Sequence, residues 1–362
     1  MHMQTRLLKA LSLGILLLTV LSALALYSKT VNASQKLAVQ QRILVNAMEY
    51  PWSTIGRLNA AGRAHCTGAM VSERHVLTAA HCIYDAKTGR WLAPQELYFI
   101  AGYQFEEYKI KSKIKSYKKS ENYKPKNEAS ARNTETDWAL LELTDPIGTQ
   151  TGWLKLSSLS NAIIDRINTK QAVLITSGYR AGAPHAQTVD FNCQPPGKVK
   201  NPGKVKNPGK TKNNDGIAHR CFLQKGDSGS PLLLFDQQDF SIVGINVIGI
   251  ETDTRGVNTY VGALNAQRFH PANGKPDVRK SIRSLDFLWD KGAKPDQGSK
   301  ASASPERTIA ALLARKGYLT GNPLSAPSQA ITTAETRYKK EQGKTHLKTR
   351  LQLLDDIILS IE

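Results

Sequence analysis

The 362-residue sequence predicts a mainly β protein of the barrel or sandwich class, followed by a small helical segment. Two patterns carry that prediction. Between about residues 42 and 290, short stretches rich in Val, Ile, Leu and aromatics alternate with turn residues, and few helical patterns interrupt them. Beyond residue 305 the apolar residues recur instead at helical spacing.

The chain starts with Arg6 and Lys9 ahead of an apolar run over residues 10–26. Val31-Asn32-Ala33 comes next, with Ala23-Leu24-Ala25 as a second candidate cleavage site. Charge, length and cleavage site make residues 1–33 a signal peptide. The run is slightly long, so an uncleaved membrane anchor is the alternative. Either reading places the remainder of the chain outside the cytoplasm, with residues 34–42 as a candidate short propeptide.

The strand candidates are residues 74–78, 138–143, 172–176, 231–235 and 241–250. Ile282, Leu285 and Trp289 fit one face of a short closing helix. Residues 196–213 are three hexamers, PGKVKN, PGKVKN and PGKTKN. A Pro-Gly pair every six residues rules out a regular helix or central strand, so the repeat reads as a basic surface loop. Residues 291–305 are a polar Gly/Ala/Ser/Lys/Pro linker, and residues 306–362 a helical domain. Its apolar faces are read as Ile309, Leu312 and Leu313, then Ile331, Ala334 and Tyr338, then Leu347, Leu351 and Leu354.

The net charge of +19 is local: residues 109–126 hold eight lysines against one acid, and residues 197–212 hold six against none. A solvated face is favoured over a nucleic-acid or membrane patch. The second run has no aromatics for base stacking, and in the first the lysines alternate with Ile110, Ser112 and Ile114 as on a half-wet strand. The four cysteines, Cys66, Cys82, Cys193 and Cys221, suit two disulfides in an oxidising compartment. They contain no CxxC pair, which argues against zinc. Neither a metal nor a cofactor is called for.

Three motifs stand in order: Leu77-Thr78-Ala79-Ala80-His81-Cys82, Asp137-Trp138-Ala139-Leu140-Leu141 and Gly226-Asp227-Ser228-Gly229-Ser230-Pro231. A serine hydroxyl is a poor nucleophile until a base takes its proton, which His81 can do near neutrality. A carboxylate, Asp137, would hold the imidazole tautomer and stabilise the imidazolium. The oxyanion of acyl transfer needs backbone N–H donors, for which Gly226 and Ser228 are placed. Taken singly each motif could be a turn or a core residue; together they specify nucleophilic hydrolysis. The rival reading is an inactive protease-fold binding protein, against which the intact His81, Asp137, Ser228 and Gly226 argue.

With Cys66-Thr67-Gly68, VLTAAHC, DWALLEL and GDSGSP in view, residues 43–290 resemble the trypsin-like serine peptidase family, in particular its bacterial glutamyl-endopeptidase branch. The resemblance implies a chymotrypsin-like double β-barrel with the catalytic groups in the cleft, and polypeptide substrates. It also implies a Cys66–Cys82 bridge holding His81, and Cys193–Cys221 as the remaining pair. Trypsins carry an Asp six residues before the nucleophile, where this chain has Phe222 followed by Leu223. Glutamyl endopeptidases use a His on the strand after the nucleophile; here that strand reads Gly244-Ile245-Asn246-Val247-Ile248-Gly249. Phe222, Leu223, Gly249 and Gly256 are therefore the candidate lining of an apolar or small pocket, with Phe222 as plain core the alternative. Asp227 matches the acid that pairs with a freed amino terminus in trypsins, and Arg42-Ile43-Leu44 is the candidate cleavage point. The tail, from TIAALLARKGYL to ITTAETRYKKEQGK and a last apolar helix, resembles a peptidoglycan-binding-like three-helix domain. Its usual Asp-Gly is replaced by Asn322-Pro323-Leu324, which leaves peptidoglycan binding and a cap on the protease as equal readings.

The repeat has no apolar periodicity, and shortening a loop alters closure entropy only slightly. Excision of residues 196–213 is therefore expected to leave a folded protein, checked by thermal melting and by hydrolysis of small peptide substrates.

Overall fold

The computed structural model describes residues 42–60, 65–125, 135–193, 216–252, 258–272, 274–295 and 304–361. The N-terminal segment, the hexamer repeat, Gly256 and the middle of the linker lie outside the described residues.

The strands are β1 (Arg42–Leu44), β2 (Ile55–Ala60), β3 (Cys66–Met70) and β4 (His75–Thr78), then a side ribbon of β5 (Tyr84–Asp85) and β6 (Arg90–Trp91). They continue with β7 (Leu97–Ala101), β8 (Ile110–Lys119) and β9 (Ala139–Leu143). Six of these close an antiparallel barrel in the order β2-β3-β4-β9-β8-β7. Its interior is apolar, built from Leu58, Met70, Val76, Phe99, Ile114, Leu141 and Leu143. On β8 the period of two is plain: Ser112 and Ile114 are buried while Lys111, Lys113 and Lys115 face water.

The second half supplies β10 (Ala172–Gly178), β11 (Thr188–Cys193), β12 (Gly216–His219), β13 (Pro231–Asp236), β14 (Asp239–Thr252) and β15 (Asn258–Asn265). With β1 they form a seven-stranded sheet in the order β1-β11-β10-β13-β14-β15-β12. β10 pairs antiparallel with both β11 and β13, and β14 with both β13 and β15. The architecture is mainly β with barrel-like sheets. Both disulfides form, Cys66–Cys82 with Cα atoms 5.9 Å apart and Cys193–Cys221 at 4.4 Å.

The closing helix differs from the sequence reading. Ile282, Leu285 and Trp289 do not share one helix; the chain forms Pro276–Ser281 and Asp286–Trp289 with an extended Ile282 between them. The Ser284 hydroxyl donates to Asp286 Oδ2 at 3.1 Å beside the start of the second helix. What anchors the first is Asp277, which is buried and accepts from Ser120 Oγ (2.8 Å), Trp138 Nε1 (3.1 Å) and Arg268 (2.5 Å).

The tail folds as helices Glu306–Arg315, Ser328–Glu341 and Arg350–Leu359. The first two bury the expected faces, but the third is turned from its expected register. Thr349 and Gln352 make a reciprocal capping box, so the helix begins after Leu347 and the buried face is Leu353, Leu354, Ile357 and Ile358, with Leu351 outward. All three helices share one apolar cluster with Trp52, from the turn before β2, and with Phe191, Phe235 and Phe240 of the second sheet region. The junction is polar and specific. Buried Glu49 accepts from the Arg307 and Thr308 N–H groups (2.8 and 3.1 Å) at the start of the first tail helix, and from the Thr308 hydroxyl (3.2 Å). The Trp52 indole N–H donates to the same hydroxyl at 2.7 Å. The tail is thus coupled to the segment before β2 more tightly than a flexible linker implies.

Burial pushes the Glu49 pKa up from 4.5 to about 7, against the hydrogen bonds that favour its carboxylate. The folded pKa lies above the unfolded one, so this group's contribution to stability is full below about 4.5 and is lost as pH rises through about 7. At pH 5 the folded Glu49 is a neutral carboxyl whose hydroxyl oxygen can still accept; Glu49→Gln puts there an NH2 group, which cannot, and is expected to cost about 1–3 kcal/mol. Thermal melts at pH 5 and 8 should show a smaller gap between wild type and variant at pH 8. Removal of residues 306–362 should expose Trp52 and lower the melting temperature, read by intrinsic fluorescence and calorimetry.

Candidate active site

His81 sits in a short 3-10 turn, Ala80–Ile83, just after β4, and Asp137 stands two residues before β9, the neighbour of β4 in the barrel. The pairing Thr78↔Ala139 therefore sets the two side chains beside each other. Asp137 Oδ2 lies 2.7 Å from His81 Nδ1, and Oδ1 accepts the His81 backbone N–H at 2.9 Å. A carboxylate only accepts, so Nδ1 carries the proton and the tautomer is set. Asp137 is 5% exposed, while the His81 side chain keeps 25% of its surface open. Trp138 anchors this strand end through its bond to Asp277 and its edge-on contact with Phe269, 5.4 Å between centroids. Asp145, just past the far end of β9, is bonded instead to the Ser112 hydroxyl at 2.8 Å.

Ser228 lies in the turn between Cys221 and β13, and the first barrel reaches it through Cys66-Thr67. Cys66 is bridged to Cys82, next to His81; Cys82 Sγ is 3.7 Å from the Ser228 carbonyl oxygen. A His81 ring nitrogen lies within 4.8 Å of the bridged sulfurs.

Four successive peptide planes of this turn are held, in alternation. The Lys225 carbonyl accepts from Ala181 N–H (2.7 Å) and the Asp227 carbonyl from Ser230 N–H (2.9 Å). The intervening plane has its Gly226 carbonyl bonded to the Thr67 hydroxyl (2.8 Å) and its Asp227 N–H to the Gln224 carbonyl (3.1 Å). The plane after Ser228 has its carbonyl bonded to Thr67 N–H (2.8 Å) and its Gly229 N–H to the Asn246 carbonyl (2.7 Å). In a planar trans peptide the N–H points opposite the carbonyl. The Gly226 and Ser228 N–H groups are therefore aimed away from Ala181 and Ser230, and among the described residues neither has an acceptor. Glycine is required at two places. Gly226 has φ +94°, and a Cβ there would fall 2.2 Å from the Tyr179 carbonyl oxygen and 2.7 Å from His65 Nε2. Gly229 has φ +79°, and its Cβ would fall 2.1 Å from the Thr78 hydroxyl.

Behind the turn lies a buried polar chain that sequence reasoning missed. His219 Nδ1 accepts Cys221 N–H at 3.2 Å, so Nε2 carries the proton and donates to Asn246 Oδ1 at 2.7 Å. Asn246 Nδ2 donates to the hydroxyls of Thr176 (2.8 Å) and Ser230 (2.9 Å). Burial pushes the His219 pKa down to about 4, so the imidazole is neutral under ordinary conditions. His65, also overlooked, meets the Tyr179 carbonyl at 2.7 Å. A histidine near Cys221 and a polar residue in an apolar strand were the only sequence signals for the first pair.

Of the expected pocket residues, Phe222 is half-buried, with the Arg180 guanidinium 5.8 Å from its ring centroid and its N–H on Asp190 Oδ2 at 2.9 Å. Leu223 packs at the edge of the second sheet's core. Gly249 pairs with Val261 between β14 and β15, and Gly256 lies outside the described residues. Asp227 is fully buried, with Oδ2 accepting Gln224 N–H at 3.0 Å.

Known proteins share parts of this chain. It is 54% identical over 41 residues to serine protease 23 of Bos taurus, covering 11% of this chain and 10% of that protein. It is 27% identical over 121 residues to the glutamyl endopeptidase of Bacillus licheniformis, covering 33% of this chain and 36% of that one. The chain thus spans between a tenth and about a third of the length of these relatives. A solved structure of Glu endopeptidase in complex with MPD aligns at a TM-score of 0.45 and 18% identity, over 62% of this chain and 90% of that one. The Trypsin family model matches residues 44–269, well over half of the chain. The chain belongs to the Trypsin family.

Proposed function

We propose that the protein is an exported serine endopeptidase that cleaves peptide bonds through an acyl-enzyme, with Ser228 as nucleophile, His81 as general base and acid, and Asp137 as the residue that holds His81. One observation carries the reading most: the alternation of held peptide planes that, among the described residues, leaves the Gly226 and Ser228 N–H groups unbonded beside the nucleophile. That arrangement has a chemical use where negative charge develops on a carbonyl oxygen.

The steps use these groups in turn. Ser228 Oγ attacks the scissile carbonyl carbon as His81 Nε2 takes its proton. The imidazolium gains from Asp137, 2.7 Å from Nδ1. The carbonyl electrons move to oxygen, which the Gly226 and Ser228 N–H groups would receive. Collapse breaks the C–N bond, the imidazolium protonates the leaving amine, and water then hydrolyses the ester by the same proton path in reverse. A preference for apolar or small side chains before the scissile bond is supported by Phe222 and Leu223 and by the absence of an acid at the position that marks trypsins. Export is supported by the N-terminal segment of the sequence and by the two disulfides, which persist in oxidising compartments. For the tail we favour a structural cap on the second sheet region. Glycan binding is a separate proposal, for which the groove lined by Tyr318, Leu319, Pro327, Thr333 and Arg337 offers a surface.

A fluorophosphonate probe is expected to label the mature wild type and not Ser228→Ala; an unlabelled wild type would remove the enzyme reading. Asp137→Asn should lower kcat by about 10⁴ because the amide favours the wrong imidazole tautomer, with the melting temperature little changed. A peptide-library digest should show cleavage after apolar or small residues. Dominant cleavage after Lys, Arg or Glu would refute the pocket assignment.

A further inference from the structure

Thr67 makes three bonds from the closed barrel to the second sheet region, two of them to the turn that carries Ser228 and one to Tyr179. It is fully buried in β3. Its hydroxyl donates to the Gly226 carbonyl (2.8 Å) and accepts the Tyr179 N–H (3.1 Å); its own N–H donates to the Ser228 carbonyl (2.8 Å). The residue thereby touches both amino acids whose N–H groups stand unbonded. A hydroxyl is the smallest group that can donate and accept at once in this place. The Tyr179 bond matters as much as the Gly226 bond, because the Tyr179 carbonyl is the atom a Cβ at Gly226 would strike. Tyr179 is held from its other side by His65. The hydroxyl therefore fixes the Gly226–Asp227 plane against a backbone that is itself fixed. The adjoining Cys66 bridge and the Thr78 hydroxyl, which donates to the Thr67 carbonyl at 2.8 Å, hold Thr67 to the strand that ends at His81.

We propose that Thr67 is a positioning residue for oxyanion binding, setting from the closed barrel the orientation of the Gly226 and Ser228 N–H groups in the turn before β13. The inference rests on the acyl-transfer reading above. It assigns Thr67 no contact with substrate. What its hydroxyl changes is the aim of donors that matter only once charge develops, so its loss acts on the transition state rather than on substrate binding.

Thr67→Val keeps the shape of the side chain and the backbone bond to Ser228 but removes both hydroxyl bonds. Full removal of one oxyanion donor costs on the order of 10²–10³ in kcat, so misaiming one should lower kcat by about 10–100-fold with KM within about threefold. Affinity for a peptide boronate, which forms a tetrahedral adduct with the serine, should fall by the same factor as kcat. Thr67→Ser, which restores the hydroxyl, should recover most of both. Active-site titration counts only folded enzyme. If Thr67→Val fails to accumulate, Thr67→Ala is carried through the same measurements with the same expectation. Wild-type kcat in the variant, a loss confined to KM, or a Ser variant as poor as the Val variant would overturn the inference while leaving the protease reading intact. Absence of fluorophosphonate labelling in the wild type would overturn both.

Discussion

The contact between the Cys66-Thr67 dipeptide and the turn from Lys225 to Ser230 is the constraint on which the site depends. A seven-stranded sheet and a closed barrel, each with its own apolar interior, have no intrinsic reason to adopt one mutual position to within tenths of an ångström. Hydrophobic contact is non-directional. Directional bonds at the junction supply what packing does not. Thr67 bonds to the Gly226 and Ser228 carbonyls of that turn, and the Cys66–Cys82 bridge ties the same dipeptide to the residue after His81. The glycines follow from this closeness: at Gly226 and Gly229 any Cβ would overlap atoms of Tyr179, Thr67 or Thr78.

From the other side the turn is backed by a polar chain in an otherwise apolar interior. Asn246 uses its backbone carbonyl, backbone N–H and side-chain amide on Gly229 and Ser230, and His219 orients that amide by occupying its oxygen. Such groups are costly to bury unless satisfied. Here each makes bonds that leave little freedom: the Cys221 N–H determines the His219 tautomer, and the tautomer determines which way Asn246 faces. The low pKa of His219 has the same origin in burial, and an imidazolium would also have to abandon the bond it accepts. The turn is therefore gripped between a hydroxyl from the closed barrel and an amide from the seven-stranded sheet.

The tail presents the same logic at lower stakes. Glu49 and Trp52 lie in the segment that leads into the first barrel, yet their polar atoms are satisfied by the first helix of the C-terminal tail, between 256 and 259 residues later. A carboxylate at a helix start is favoured by the unpaired N–H groups there, and opposed here by the loss of water. The balance raises its pKa toward neutrality while leaving the joint specific in direction.

Much of the candidate site was legible in the sequence because its motifs are local. His81 stands beside Cys82 and Asp137 opens an apolar strand, while Gly226 and Ser228 share one turn, so residue types alone announce the reaction class. Strand positions were legible for the same reason: the alternation of lysines with Ser112 and Ile114 on β8 is a property of consecutive residues. Where reading failed, the deciding partner was distant or the competition was between neighbours of equal propensity. Leu347, Leu351 and Leu354 suit a helical face as well as Leu353, Leu354, Ile357 and Ile358 do, until the bonds between Thr349 and Gln352 chose the start and buried the second set. Thr67 and Gly226 are 159 residues apart, and His219 and Asn246 are joined across strands. Residue identities and their spacing were enough to say which groups can carry the chemistry and which segments can be strands. Which carbonyls are held and which N–H groups are left unbonded among the described residues emerged only with the folded chain, because hydrogen-bond direction is set by the partner's position in space and not by the residue that bears the group.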